Sequence, residues 1–87
     1  MSYRLIVKPS AEKDVTRLPA SVQRRVVDRL ARIEADPRAP GSVKLGGAKA
    51  TYRVRVGAWR IVYEIDAARR TVFVTIVAHR RQVYRGL

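Results

Sequence analysis

At Tyr52 the spacing of the hydrophobic residues changes, and that change governs what the chain can fold into. Before it, apolar residues recur every three or four positions; from Tyr52 to Ile65, in YRVRVGAWRIVYEI, they recur at every second one. A period of two belongs to a strand with one buried face, and Gly57-Ala58 in the middle reads as the tight turn of a hairpin. Tyr52, Val54, Val56, Trp59, Ile61, Tyr63 and Ile65 then share the buried side. Arg53, Arg55, Arg60, Val62 and Glu64 share the other.

The remaining segments fit around that hairpin. After a second turn in DAARR, the stretch TVFVTIVAH (71–79) is apolar at both parities, as an interior strand would be. Near the N-terminus, YRLIVK (3–8) reads as a short strand ended by Pro9, with Ser10 expected to cap a helix over AEKDVTRL (11–18). Pro19 separates that helix from a longer one over 20–36, where Val22, Val26, Val27, Leu30 and Ile33 recur at helical spacing. Arg24, Arg25, Arg29 and Arg32 make its outer face basic. Asp36-Pro37 ends it, and the Pro- and Gly-rich stretch up to Lys49 reads as a loop. The expected architecture is α+β, a single domain over 1–87 in the order β-α-α-β-β-β. Two N-terminal helices would cover one face of a mainly antiparallel sheet.

Composition narrows the partners. Nineteen Lys and Arg against seven Asp and Glu leave +12 on 87 residues. Self-repulsion on that scale disfavours a compact state, so such a surplus usually meets an anion, most often nucleic acid. With no cysteine there is neither a disulfide nor a thiolate metal site. No run of ~18 apolar residues and no leader-like N-terminus is present, so a soluble cytoplasmic protein without membrane contact is expected.

Since the apolar face of the hairpin must meet the helices, Arg53, Arg55 and Arg60 are expected together on the open face near the Gly57 turn. Guanidinium forks grip phosphate oxygens bidentately, so such a face suits a nucleic-acid backbone. It is equally what the wet side of any antiparallel sheet looks like, and patterning alone weighs the two readings evenly. The carboxylates form no paired site; Glu64 reads as an ion-pair partner for Arg60. Tyr3, Tyr52, Trp59 and Tyr63 follow the apolar parity and read as core rather than as base-stacking residues.

The order of elements, the KLGG of Lys44–Gly47, the hairpin YRVRVGAWRIVYEID and the tail VAHRRQVY (77–84) together resemble the RelE-type toxins of toxin-antitoxin pairs, within the RelE/ParE superfamily, over nearly the whole chain. The resemblance implies a fold related to microbial ribonucleases. It also implies a ribosome-dependent endoribonuclease that cuts mRNA in the decoding A site and so inhibits translation, using neither cofactor nor metal. Matched position by position, the catalytic residues are Arg53, Arg55, Arg60, Arg80 and Tyr84. Arg60 corresponds to the residue that stabilises the scissile phosphate, Arg80 to one that assists the leaving 5′ oxygen, and Tyr84 to one that stacks on a base and helps activate the nucleophile. The best-studied member carries lysines at the positions of Arg53 and Arg55. Arginines there cannot act as a base near neutral pH, so the identity of the general base stays open between Tyr84 and His79, the only histidine.

Lys44, Lys49, His79 and Arg81 are candidate RNA contacts beside this set. For the two lysines a solvated loop is the usual case, and for His79 the favoured reading is a histidine closing its strand through a local hydrogen bond. The partners implied are a cognate RelB-type antitoxin and the ribosome with its mRNA and rRNA; operator DNA would be met only through the antitoxin complex. Two other functions share these features: a ParE-like gyrase inhibitor, which acts by binding, and a non-catalytic basic co-repressor that binds RNA or antitoxin.

Overall fold

A computed structural model of the chain describes residues 3–45 and 50–81. The elements run β1 (Arg4–Val7), α1 (Pro9–Thr16), α2 (Ala20–Ala35), β2 (Val43–Leu45), β3 (Thr51–Val56), β4 (Trp59–Asp66) and β5 (Thr71–His79). They build a five-stranded sheet in the order β1-β5-β4-β3-β2. Strand β1 lies parallel to β5, and the other neighbours are antiparallel. The parallel pair follows from the connection: β1 returns to the sheet only after two helices and a meander, and joins at β5 rather than at the hairpin.

Both helices pack on one face. Ala11 and Leu18 from the α1 region, and Val26, Leu30 and Ile33 from α2, meet Val54, Val56, Ile61, Tyr63, Ile65, Val72, Val74 and Val77 of the sheet in one core. Tyr3, Tyr52 and Trp59 pack at its margin. Tyr63 is fully buried, stacks on Tyr52 with ring centroids 6.0 Å apart, and donates its hydroxyl to the Pro37 carbonyl at 2.6 Å. Removal from water pushes its phenol pKa above the ordinary 10. That one bond ties the sheet centre to the segment after α2.

The apolarity of β5 on both sides has the expected cause, since it is paired along both edges, by β1 and β4. Between β4 and β5 the register slips at Val62/Tyr63 and leaves Thr75 out of the pairing; its hydroxyl donates to the Val62 carbonyl at 3.2 Å. Gly57 has φ +60°, the sign required at the first position of a two-residue II′ hairpin turn, so the tight turn at Gly57-Ala58 forms.

Four local expectations change. Ser10 does not cap α1: the helix begins at Pro9 after Lys8, no side chain caps it, and the Ser10 hydroxyl instead reaches the Thr75 carbonyl at 3.4 Å. Proline suits the first helical position because the amide it lacks would have no helical partner there. Helix α1 stops at Thr16, whose hydroxyl donates to the Lys13 carbonyl, although Leu18 is still buried. Val27 lies outside the core at 52 % exposure, one position round the helix from Val26. And the loop after α2 contains a strand, β2, which pairs Val43, Lys44 and Leu45 with Arg53, Tyr52 and Thr51.

Candidate active site

The register of β3 and β4 sets the arginines. Arg55 stands directly opposite Arg60 and Arg53 opposite Val62, so all three start from the sheet face away from the helices. Across the next interface Arg60 meets Ala78 and Val62 meets Ile76, which continues the same face into β5. Two like charges directly opposite one another repel. The structure separates them: Arg55 is exposed, whereas Arg60 is only 5 % exposed and curls toward the hairpin turn. Its Nη1 donates to the carbonyls of Gly57 at 3.1 Å and Trp59 at 2.9 Å. Arg53 is half-buried. The expectation of three solvated cations therefore holds for Arg55 and fails at Arg60, because carbonyls of the turn offer its guanidinium acceptors that neutral water-facing packing would not. The same curl directs it away from Glu64, which sits further along β4 between Thr51 and Phe73, instead of into the expected ion pair.

Arg80 lies just past the end of β5, exposed, with its backbone at the hairpin turn. Its amide donates to the Ala58 carbonyl at 2.8 Å, extending the β4–β5 ladder past Trp59 and His79 to the turn. Along β5, strand alternation sets Ala78 on the side of Arg60. By the same alternation His79 falls on the helix side. It is paired with Trp59, its ring stands edge-on to the indole at 5.5 Å and 83°, and its Nδ1 accepts from the Arg81 amide at 3.4 Å. His79 thus closes the strand locally and is not brought to the arginines. Arg81 is exposed at the end of β5. Lys44 belongs to β2 rather than to a loop and pairs with Tyr52, so it starts from the opposite face to Arg53. Lys49 and Tyr84 lie outside the described residues.

Three arginines that strand patterning left on a solvated helix approach the same end of the sheet. Arg25, Arg29 and Arg32 of α2 line a cleft of about 270 Å³ together with Asp28, Arg55, Val56 and Gly57. Their i, i+4, i+7 spacing marks one flank of the helix in the sequence. Which element that flank faces is decided only by packing.

Chemically, the described part of the face supplies fixed positive charge. An arginine side chain stays protonated at all relevant pH, so these groups can bind and stabilise a phosphoryl transition state but cannot accept a proton.

Residues 5–84 match the family described as the ParE toxin of the type II toxin-antitoxin system, parDE. The chain belongs to that family. It is a type II toxin of the RelE/ParE superfamily, and its relatives carry both names. Toxin RelG of Mycobacterium tuberculosis is 28 % identical over 86 residues, spanning 98 % of this chain and 99 % of the relative. The toxin superposes on the RelBE2 toxin-antitoxin complex of the same organism with a TM-score of 0.80 and 25 % identity, over 91 % of this chain and 99 % of the other. On the isolated RelE toxin of E. coli the TM-score is again 0.80, at 24 % identity, over 99 % and 100 % of the two chains. That likeness establishes the shared fold of helices and sheet. Among the described residues of the toxin, no helix is long and apolar enough to cross a membrane.

Proposed function

We propose that the toxin is a ribosome-dependent endoribonuclease that cuts mRNA in the decoding A site. What supports this reading is that Arg53, Arg55 and Arg60 start from one sheet face beside the Gly57 turn, to which the Arg80 amide also bonds. In the reaction, a ribose 2′-hydroxyl attacks the adjacent phosphorus and loses its proton, the bond to the 5′ oxygen breaks, and that oxygen takes up a proton. The products are a 2′,3′-cyclic phosphate and a 5′-hydroxyl end. Charge builds on the phosphoryl oxygens, and cations already fixed around them stabilise it most. Arg55 stands at the surface to meet the backbone first. Arg60 reaches the carbonyls of Gly57 and Trp59 through Nη1, and a phosphate oxygen would offer its guanidinium a charged acceptor. Arg80 is assigned to the leaving oxygen. Tyr84 is assigned to base stacking and nucleophile activation, with Lys44, Lys49 and Arg81 as peripheral contacts.

A cytoplasmic antitoxin of the RelB type is the proposed regulator. An acidic, amphipathic segment folding over the arginine face would occupy the cations that RNA needs, and the pair would meet operator DNA through the antitoxin. Superposition on toxins in complex with antitoxins supports this partner.

The family's ParE name favours a second reading, inhibition of DNA gyrase by binding. The two separate in parallel assays of the purified toxin: mapped cleavage of mRNA on programmed ribosomes, and supercoiling by gyrase. The nuclease reading expects 5′-hydroxyl ends in the A site and unaffected supercoiling. Inhibited supercoiling without cleavage would replace it with the gyrase reading.

A further inference from the structure

We propose that the cleft between α2 and the end of β3 binds a second stretch of RNA phosphodiester backbone, distinct from the strand being cut. Strand β2 covers β3 only as far as Arg53, so residues 54–56 pair on one side alone, with β4. The flank of α2 bearing Arg25, Arg29 and Arg32 lies along that stretch, and Arg55 closes the cleft from the sheet. Among the described residues, four arginines line it against a single aspartate, Asp28. Backbone at two turns comes close to these guanidinium groups. Gly57, at φ +60°, lies so close to Arg25 that a Cβ on it would stand 3.2 Å from Nη1. Gly41, at φ +99°, lies so close to Arg29 that a Cβ would stand 2.7 Å from Nη2, which also reaches the Pro40 carbonyl at 3.4 Å. The two left-handed glycines thus lie close against successive guanidinium groups of one helix.

The cleft's chemistry selects its occupant. A peptide that folds on its target anchors through apolar side chains, and among the described residues the lining offers only Val56 for that purpose. The exposed apolar side chains Ile6, Val27 and Val43 do not line it. A row of guanidinium forks with almost no apolar floor is instead suited to phosphate oxygens, which need charge and directed donors and nothing greasy. Because Arg55 belongs to the arginine face as well, the cleft and that face form one continuous track around the end of the hairpin. On the ribosome, RNA gripped by α2 would orient the toxin over the strand it cuts. The assignment rests on RNA being the toxin's target, and binding can be measured apart from cleavage.

The test is the salt dependence of binding to a short fluorescein-labelled single-stranded RNA, followed by anisotropy, for the full chain and for Arg25→Gln/Arg32→Gln. Both side chains are exposed, so the fold should persist; each single substitution provides the same readout at half size. Each lost phosphate contact is expected to make the slope of log affinity against log salt shallower by ~0.7, and the double variant by ~1.4. Arg25→Lys/Arg32→Lys should restore the slope. An unchanged slope in the double variant overturns the proposal, and weakened antitoxin binding alongside it would give the cleft to protein instead. A shallower slope from a toxin that cuts nothing keeps the cleft and removes the nuclease reading; an unchanged slope in a toxin that cuts does the reverse.

Discussion

The two faces of the sheet are made by the same strands and obey different physics. On the helix side, Val54, Ile61, Tyr63, Val72, Val74 and Val77 are each at most 2 % exposed, and cohesion there comes from apolar area withdrawn from water. On the other side Arg53, Arg55 and Arg60 bring mutual repulsion, which is tolerated because the helix side holds the strands in place. Within that second face the pair Arg55 and Arg60 repeats the contrast at smaller scale: directly opposite residues, one in water and one cradled by carbonyls. Stability and charge are thereby carried by alternate residues of one hairpin. Substitutions should separate them.

The largest effect on stability is expected from Ile61→Ala, which leaves a cavity in the core and should cost ~2–5 kcal/mol in urea unfolding. If the two faces are independent, whatever fraction remains folded keeps its RNA affinity. Arg60→Ala should act mainly on chemistry, lowering single-turnover cleavage on ribosomes by roughly 10²–10³-fold, the scale for one donor to a transition-state oxyanion. It should also lower stability modestly, because two turn carbonyls lose their donor; a loss of stability as large as that of Ile61→Ala would show that Arg60 is a structural residue first.

Tyr63→Phe removes the bond to Pro37 and should cost ~1 kcal/mol. The same residue gives a pH test. Its phenol pKa is raised in the folded state, so the fold prefers the neutral form. That preference has its full value below the unfolded pKa of about 10 and is lost as pH climbs through the folded one. Unfolding free energy should therefore fall more steeply above pH ~10 in wild type than in Tyr63→Phe. Equal slopes would mean that the hydroxyl is not held away from water. Smallest of all, Val27→Thr on the exposed flank of α2 should change stability by less than ~0.5 kcal/mol.

How legible each part was in the sequence follows from the range of the forces involved. The hairpin, its turn at Gly57 and the parity of Arg53, Arg55 and Arg60 are set by neighbours two residues apart, and alternation displays them. Strand β2 is three residues long and flanked by glycine and serine, too short for any period to show. The burial of Arg60 depends on where turn carbonyls point. The placement of His79 depends on alternation continuing to the last residue of β5, which put it with Trp59 rather than with the arginines. Ser10 falls inside the first turn because α1 begins one residue before it, at a proline whose missing amide needs no partner. The α2 arginines were visible as one helix flank, and only tertiary packing turned that flank toward Arg55.

The central claim is that the arginine face acts on a scissile phosphate. Its most direct test is mapped cleavage of mRNA on programmed ribosomes by antitoxin-free wild type, Arg60→Ala, Arg80→Ala and Tyr84→Phe, each shown to be folded. The account predicts ribosome-dependent cuts in the A site with 5′-hydroxyl ends in wild type, and a collapse of cutting in the variants. Folded wild type that leaves the message intact, or variants that cut at the wild-type rate, would contradict it.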